Sequence, residues 1–210
     1  LALTRAGYEP IVLDNLATGF PDAVPQAELV VGSMADRDLL HSLFQRHRIE
    51  AVMHFAAHSQ VAESMNDPGK YYRNNVAATQ VLLDAMTANG VMNLVFSSTA
   101  AVYGEPQSTP IAETHPLAPI NPYGRSKWIA EQMLFDYRAA YGLRPVALRY
   151  FNAAGADPDG MLGERHDPET HLIPLVLQAA LGRREAITVF GTDYPTPDGT
   201  CVRDYIHVSD

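Results

Sequence analysis

Short apolar runs alternate with helix-period stretches over residues 10–150. The runs Pro10 to Leu13, Ala27 to Val31, Ala51 to Phe55, Asn93 to Ser97 and Val146 to Tyr150 are rich in Val, Leu and Ile. They alternate little, as expected of parallel strands covered on both faces. Between them, Asp36 to His47 opens on an acidic cap, and Lys70 to Ala88 sets Val76, Thr79, Leu83 and Met86 on one stripe, with Gly90 as stop. Tyr123 to Tyr141 repeats Ile129, Met133, Tyr137 and Tyr141 at every fourth position, and Gly142 ends it. Strand-helix repetition of this kind predicts a doubly wound α/β parallel sheet.

Leu1 to Gly7 reads as the closing turns of a helix with Pro10 just beyond, so the chain is expected to begin in mid-element. The character changes after Tyr150. Phe151 to Thr170 is a long Gly-, Asp- and Pro-rich loop, His171 to Leu181 a helix, and Ile187 to Phe190 a short strand before another loop. A boundary near Tyr150 is expected to divide residues 1–150, a nucleotide-binding portion, from 151–210, the start of a substrate-binding portion.

With 210 residues and 47% apolar content, the chain can bury one core or one core plus part of a second. A net charge of -9, without a Lys/Arg cluster, argues against a nucleic-acid partner. The single cysteine, Cys201, excludes an intrachain disulfide and a thiolate metal cluster, and favours a reducing, cytoplasmic compartment. No apolar run approaches the ~18 residues of a membrane span, and the first residues lack the layout of a secretory signal.

Three features carry chemistry. Asp14 stands at the end of a strand, where an acidic residue in dinucleotide-binding folds accepts from the ribose hydroxyls and repels a 2′-phosphate, selecting NAD over NADP; a plain turn aspartate is the alternative. The Gly-rich turn that usually lies ~20 residues upstream is not within the chain. Its strand is central in this class of sheet, so a gap is expected between the strands ending at Leu13 and Phe55. Tyr123 and Lys127 share one helix face a turn apart, and an ammonium beside a phenol stabilises phenolate. Such a tyrosine can take a proton from a sugar hydroxyl. Ser97, Ser98 and Thr99 leave the strand from Asn93 at its carboxyl end, where α/β folds bind ligands; hydroxyls that merely satisfy a turn are the alternative.

Phe55-Ala56-Ala57, Tyr71-Tyr72-Arg73-Asn74-Asn75-Val76, Ser97 to Gly104, Asn121-Pro122-Tyr123-Gly124-Arg125-Ser126-Lys127 and Arg149-Tyr150-Phe151-Asn152 follow in order. Together they resemble the extended short-chain dehydrogenase/reductases. The stretch Val189 to Thr196, continued by Asp198-Gly199-Thr200 and Val202 to Val208, narrows the likeness to their nucleotide-sugar epimerases. The resemblance covers nearly the whole chain. It implies a Rossmann-like sheet lacking its first strand, a bound NAD reduced and reoxidised in each turnover, and a UDP-sugar substrate, with UDP-glucose and UDP-galactose interconverted through oxidation at C4. Tyr123 would be the base, Lys127 its partner and a ribose contact, and Thr99 the hydroxyl relay. Asp14, Asn15, Ser33, Met34, Phe55, Ala56, Ala57, Asn74 and Phe151 would join Tyr123 and Lys127 around the cofactor. Asn152, His171, Leu172, Phe190 and Arg203 would join Thr99 and Tyr123 around the substrate. A homodimer built on the helices beginning at Lys70 and Tyr123 is also implied.

Alternatives stay open for single residues. Arg203 suits a diphosphate but could pair with Asp204, Asn152 could cap a loop, and Phe190 could be core. The chain also departs from the family pattern. Ser33 stands where a carboxylate is usual, Ser59 where some members have Lys, and His171 where others carry Asn. A related decarboxylase or dehydratase, an epimerase for another UDP-sugar, and a silent NAD-binding scaffold are the competing functions. Ala100-Ala101 after Thr99 disfavours dehydration, which needs an acid-base pair there. The other histidines, His166 included, show no metal-ligand pattern and read as structural or surface groups.

Overall fold

The computed structural model describes all residues, Leu1–Asp210. The chain divides into two compact units, Leu1–Arg149 and Tyr150–Asp210. In the first, α1 (Ala2–Arg5) leads to β1 (Ile11–Asp14), β2 (Glu28–Val31), α2 (Arg37–Arg46), β3 (Ala51–His54), α3 (Val61–Asn66) and α4 (Pro68–Tyr71). A π-helical turn (Tyr72–Ala77) runs on into α5 (Ala78–Ala88), followed by β4 (Asn93–Ser97), α6 (Pro122–Tyr141) and β5 (Arg144–Leu148).

Every ladder is parallel. β1 pairs with β2, and β3, β4 and β5 form a separate sheet in that order, so no hydrogen bonds join β1 to β3. The gap expected there is present. Across the second sheet the rows alternate. Leu94 and Phe96 of β4 point into a core with Leu40 of α2, Leu82, Leu83 and Met86 of α5, and Ala130 and Leu134 of α6. The intervening row, Met53, Val95 and Val146 in register, faces the other way, and Met53 and Val146 are 44% and 54% exposed. Parallel strands with helices packed along them make the arrangement Rossmann-like.

Helix ends follow their local chemistry. Asp36 caps α2 by accepting from the Leu39 amide at 3.0 Å, and Asn121 caps α6 by accepting from the Gly124 amide at 2.8 Å. Gly142 ends α6 in the left-handed region, φ 78°, and returns buried Leu143 to the core.

Several expectations need correction. β5 spans Arg144–Leu148 rather than Val146 to Tyr150, because its register is set by pairing with β4 and begins at Arg144 opposite Asn93. The inward face of α6 is Lys127, Ala130, Glu131 and Leu134. The stripe Ile129, Met133, Tyr137 and Tyr141 lies on the flank, where the Tyr137 hydroxyl donates to Asp84 of α5 and Tyr141 is exposed. The helix expected from Lys70 to Ala88 is helical throughout but widens into the π turn.

In the second unit, β6 (Asn152–Ala154) pairs in parallel with β7 (Tyr205–His207), so the expected long loop contains a strand. Between them lies α7 (Leu172–Ala180). The short strand expected at 187–190 does not form: no segment pairs with it, and Phe190 is 96% exposed rather than core.

Candidate active site

The carboxyl ends of β1 to β4 carry the residues expected to bind and react. Asp14 closes β1, and its Oδ1 accepts from the Leu16 amide at 2.7 Å in a tight turn where Leu16 takes φ 56°. Asn15 makes the same kind of turn with Ala17, and Ser33 with Ala35, each at 3.1 Å. Met34 is buried. Phe55, Ala56 and Ala57 follow β3 outside regular structure, with the Phe55 ring more than half exposed.

Asn75 ties this end of the sheet together. Its Oδ1 accepts from the His58 amide at 2.9 Å, while its Nδ2 donates to the His58 carbonyl at 2.9 Å and to Ser126 Oγ of α6 at 3.1 Å. Asn74 donates to the same Oδ1 at 3.0 Å. Both asparagines lie in the π turn, a form often found at functional sites.

Lys127 is 3% exposed. Its ammonium donates to the Ser97 carbonyl at 2.7 Å, at the last residue of β4, and sits 4.9 Å above the centre of the Phe96 ring. Burial lowers its pKa from 10.5 to about 8. Behind it, His54 is buried with Nε2 2.9 Å from Thr79 Oγ1, and burial followed by the Lys127 charge pushes its pKa down to about 3. His54 is therefore neutral.

Tyr123 lies one turn before Lys127 on the same helix face and is half-buried. Its ring meets Tyr71 edge-on, with centres 6.4 Å apart. The two phenols differ in kind. Tyr71 shares its hydroxyl between the Gln60 carbonyl at 2.6 Å and the Glu63 carboxylate at 2.9 Å, and burial and that carboxylate raise its pKa. Tyr71 therefore stays a proton donor. Thr99, 8% exposed, caps the short turn Ala100–Val102 by accepting from the Ala101 amide at 3.1 Å. Gly124 packs the start of α6 onto that turn so closely that a Cβ would lie 2.7 Å from the Ala101 carbonyl oxygen. Tyr123 and Thr99 thus sit on two segments in direct contact.

A second polar group escaped the sequence reading. Glu131, 1% exposed, takes Arg149 Nη2 at 2.5 Å and Nε at 3.0 Å, and accepts from Ser98 Oγ. Arg149 also donates to the Tyr103 hydroxyl at 3.2 Å. The available signal was a carboxylate four residues after Lys127, on its inward face.

The expected residues of the second unit are all solvent-facing to some degree. Asn152 donates to the Asp204 carbonyl at 2.8 Å, in part a loop-tying role, and Arg203 is exposed. Phe151 lines a shallow cavity of about 300 Å³ with Tyr150, Asp204, Tyr205 and Ile206. Leu172 opens α7 directly after His171, and both are exposed.

Over residues 1–210 the sequence matches the NAD dependent epimerase/dehydratase family. The chain belongs to that family. It is 56% identical over 210 residues to the UDP-glucose 4-epimerase of Rhizobium meliloti, covering 100% of this chain and 64% of that protein. Among solved structures, UDP-glucose 4-epimerase from Brucella ovis in complex with NAD superposes with a TM-score of 0.96 at 56% identity, covering 99% of this chain and 64% of that one. The enzyme from Bifidobacterium longum, in complex with NAD+ and UDP, gives 0.94 at 40% identity, covering 98% and 65%. The chain therefore spans about 64% of the length of the curated relative it matches.

Proposed function

We propose that this chain belongs to an NAD-dependent UDP-glucose 4-epimerase that interconverts UDP-glucose and UDP-galactose in the cytoplasm. The observation that carries this reading is the buried Lys127 ammonium anchored at the end of β4, one helical turn from Tyr123 on a helix that packs against the turn capped by Thr99. Identity of 56% to a relative of that name supports it.

The chain's own groups fit NAD. Asp14 offers a carboxylate for ribose hydroxyls at the end of β1, with Asn15, Ser33 and Met34 nearby in the fold's nucleotide end. Phe55, Ala56, Ala57, Asn74, Tyr123, Lys127 and Phe151 would complete the contacts. Bound NAD would supply the acceptor, and later the donor, of hydride at the sugar C4.

The protein's part is proton transfer and positioning. Tyr123, as phenolate, takes the proton of the sugar 4-hydroxyl, with Thr99 sharing it, and the nearby ammonium favours the ionised phenol. Asn152, His171, Leu172, Phe190 and Arg203 are assigned to the UDP-sugar, with Arg203 for the diphosphate. The nucleotide is gripped while the sugar stays free to turn its other face. The full-length enzyme is proposed to be a homodimer. Thr99 is followed by Ala100 and Ala101, which move no proton, and this favours epimerisation over dehydration.

The test is to incubate the full-length gene product with UDP-galactose and assay UDP-glucose. Wild type should interconvert the two, and Tyr123→Phe should lose on the order of 100-fold or more in kcat. No interconversion by wild type removes the assignment, and full activity in Tyr123→Phe removes the base.

A further inference from the structure

We propose that Glu164, His166, Glu169 and His171 form a binding site for a tetrahedral divalent metal of the zinc class, clipping the loop after β6 to the N-cap of α7. The four residues supply one ligand atom each, and these atoms all lie within 4.8 Å of one another. His171 Nδ1 is 2.8 Å from Glu164 Oε1 and 3.2 Å from Glu169 Oε1. His166 Nδ1 is 3.5 Å from Glu164 Oε1 and 3.6 Å from Glu169 Oε2. A tetrahedral zinc ion with bonds of ~2.0–2.1 Å separates its ligands by roughly 3.4 Å. Taking Oε2 as the Glu169 ligand, since its Oε1 accepts backbone amides, the separations of 2.8, 3.5 and 3.6 Å among the four ligand atoms bracket that value.

The pattern differs from two ordinary ion pairs. Each ring turns the same nitrogen, Nδ1, toward both carboxylates, although one N–H can point well at only one acceptor. The rings themselves meet edge-to-face with centres 4.7 Å apart, and their ligand nitrogens lie within 4.8 Å of each other. The Glu169 side chain is only 9% exposed and is fixed by its own backbone: Oε1 accepts from the Thr170 and His171 amides, both at 2.8 Å. With neutral imidazoles the cluster carries two negative charges, which one divalent cation cancels. Two imidazoles and two carboxylates form a borderline ligand set that suits zinc over magnesium or calcium, which prefer oxygen shells. Four protein ligands leave no open position, so the role is structural, and His171, held through Nδ1, keeps Nε2 for the UDP-sugar contact proposed above. Residues 164–171 hold the ligands at spacings of two, three and two, a pattern that the sequence reading passed over when it left His166 as a structural or surface group.

The experiment uses full-length protein freed of metal with a chelator and desalted. Zinc chloride alone is titrated by calorimetry, and cobalt(II) by visible absorption. The expected result is one tightly bound zinc per chain, intense tetrahedral cobalt bands, and no response to magnesium or calcium. Glu164→Gln and His166→Ala should each weaken zinc binding by on the order of 100-fold. Their melting temperatures in chelator should match wild type, and only wild type should be stabilised by added zinc. No zinc binding overturns the site, as do weak octahedral cobalt bands or undiminished binding in both variants; in those cases the cluster is a set of hydrogen-bonded ion pairs.

Discussion

Burial lowers Lys127 to about 8 from 10.5, and burial with the Lys127 charge lowers His54 to about 3 from 6.5. Both shifts link stability to pH with the same sign. Between pH 8 and 10.5 the unfolded chain holds the Lys127 proton more tightly than the fold does, so stability rises through that window and is flat below it. A shift of this size corresponds to roughly 3 kcal/mol. Lys127→Met should therefore be more stable than wild type near neutral pH, by up to about that amount less the lost Ser97 hydrogen bond, while losing activity. Urea unfolding of the full-length protein at neutral pH and near pH 10.5 checks it: the advantage should shrink toward the higher value. For His54 the stability is fully present above pH 6.5 and is lost as pH falls toward 3. His54→Gln should flatten that acid limb in the same assay.

Gly124 fixes how α6 meets the turn that carries Thr99. Gly124→Ala would drive a methyl group to within 2.7 Å of a backbone oxygen and 3.1 Å of Pro119 Cβ, so the helix start must move. The expected outcome is a loss of about 1–3 kcal/mol in stability and a fall in kcat, read from thermal melts and turnover of the full-length protein. The sequence made α2, β4 and the span of α6 legible, because caps and apolar runs act locally. The limits of β5 were not, since they depend on the ladder with β4, and the run at 187–190 failed because apolar content without a pairing partner does not make a strand. That Tyr123 and Lys127 share a helix face was legible from spacing, while their assignment to a site rested on the hydroxyls after β4 and on the family resemblance. That Lys127 anchors on the Ser97 carbonyl was not, nor were the links from Asn75 to Ser126 and from Glu131 to Arg149. Those join groups that only the folded chain brings together.

In Leu1–Arg149 the β1-β2 and β3-β4-β5 sheets are not hydrogen-bonded to each other, and Met53, Val146 and Leu148 are about half exposed. Produced alone, residues 1–210 should bind hydrophobic dyes, melt without a sharp transition and gain no stability from NAD. A cooperative melt whose midpoint rises with NAD would show that it folds independently. β1 and β3 each pair along one side only, so each presents a row of amide and carbonyl groups at its other side. Such rims act as templates for any extended backbone, including another copy's. As the concentration of this stretch rises, turbidity should set in through rim-to-rim stitching, and a short β-prone peptide added in excess should delay it.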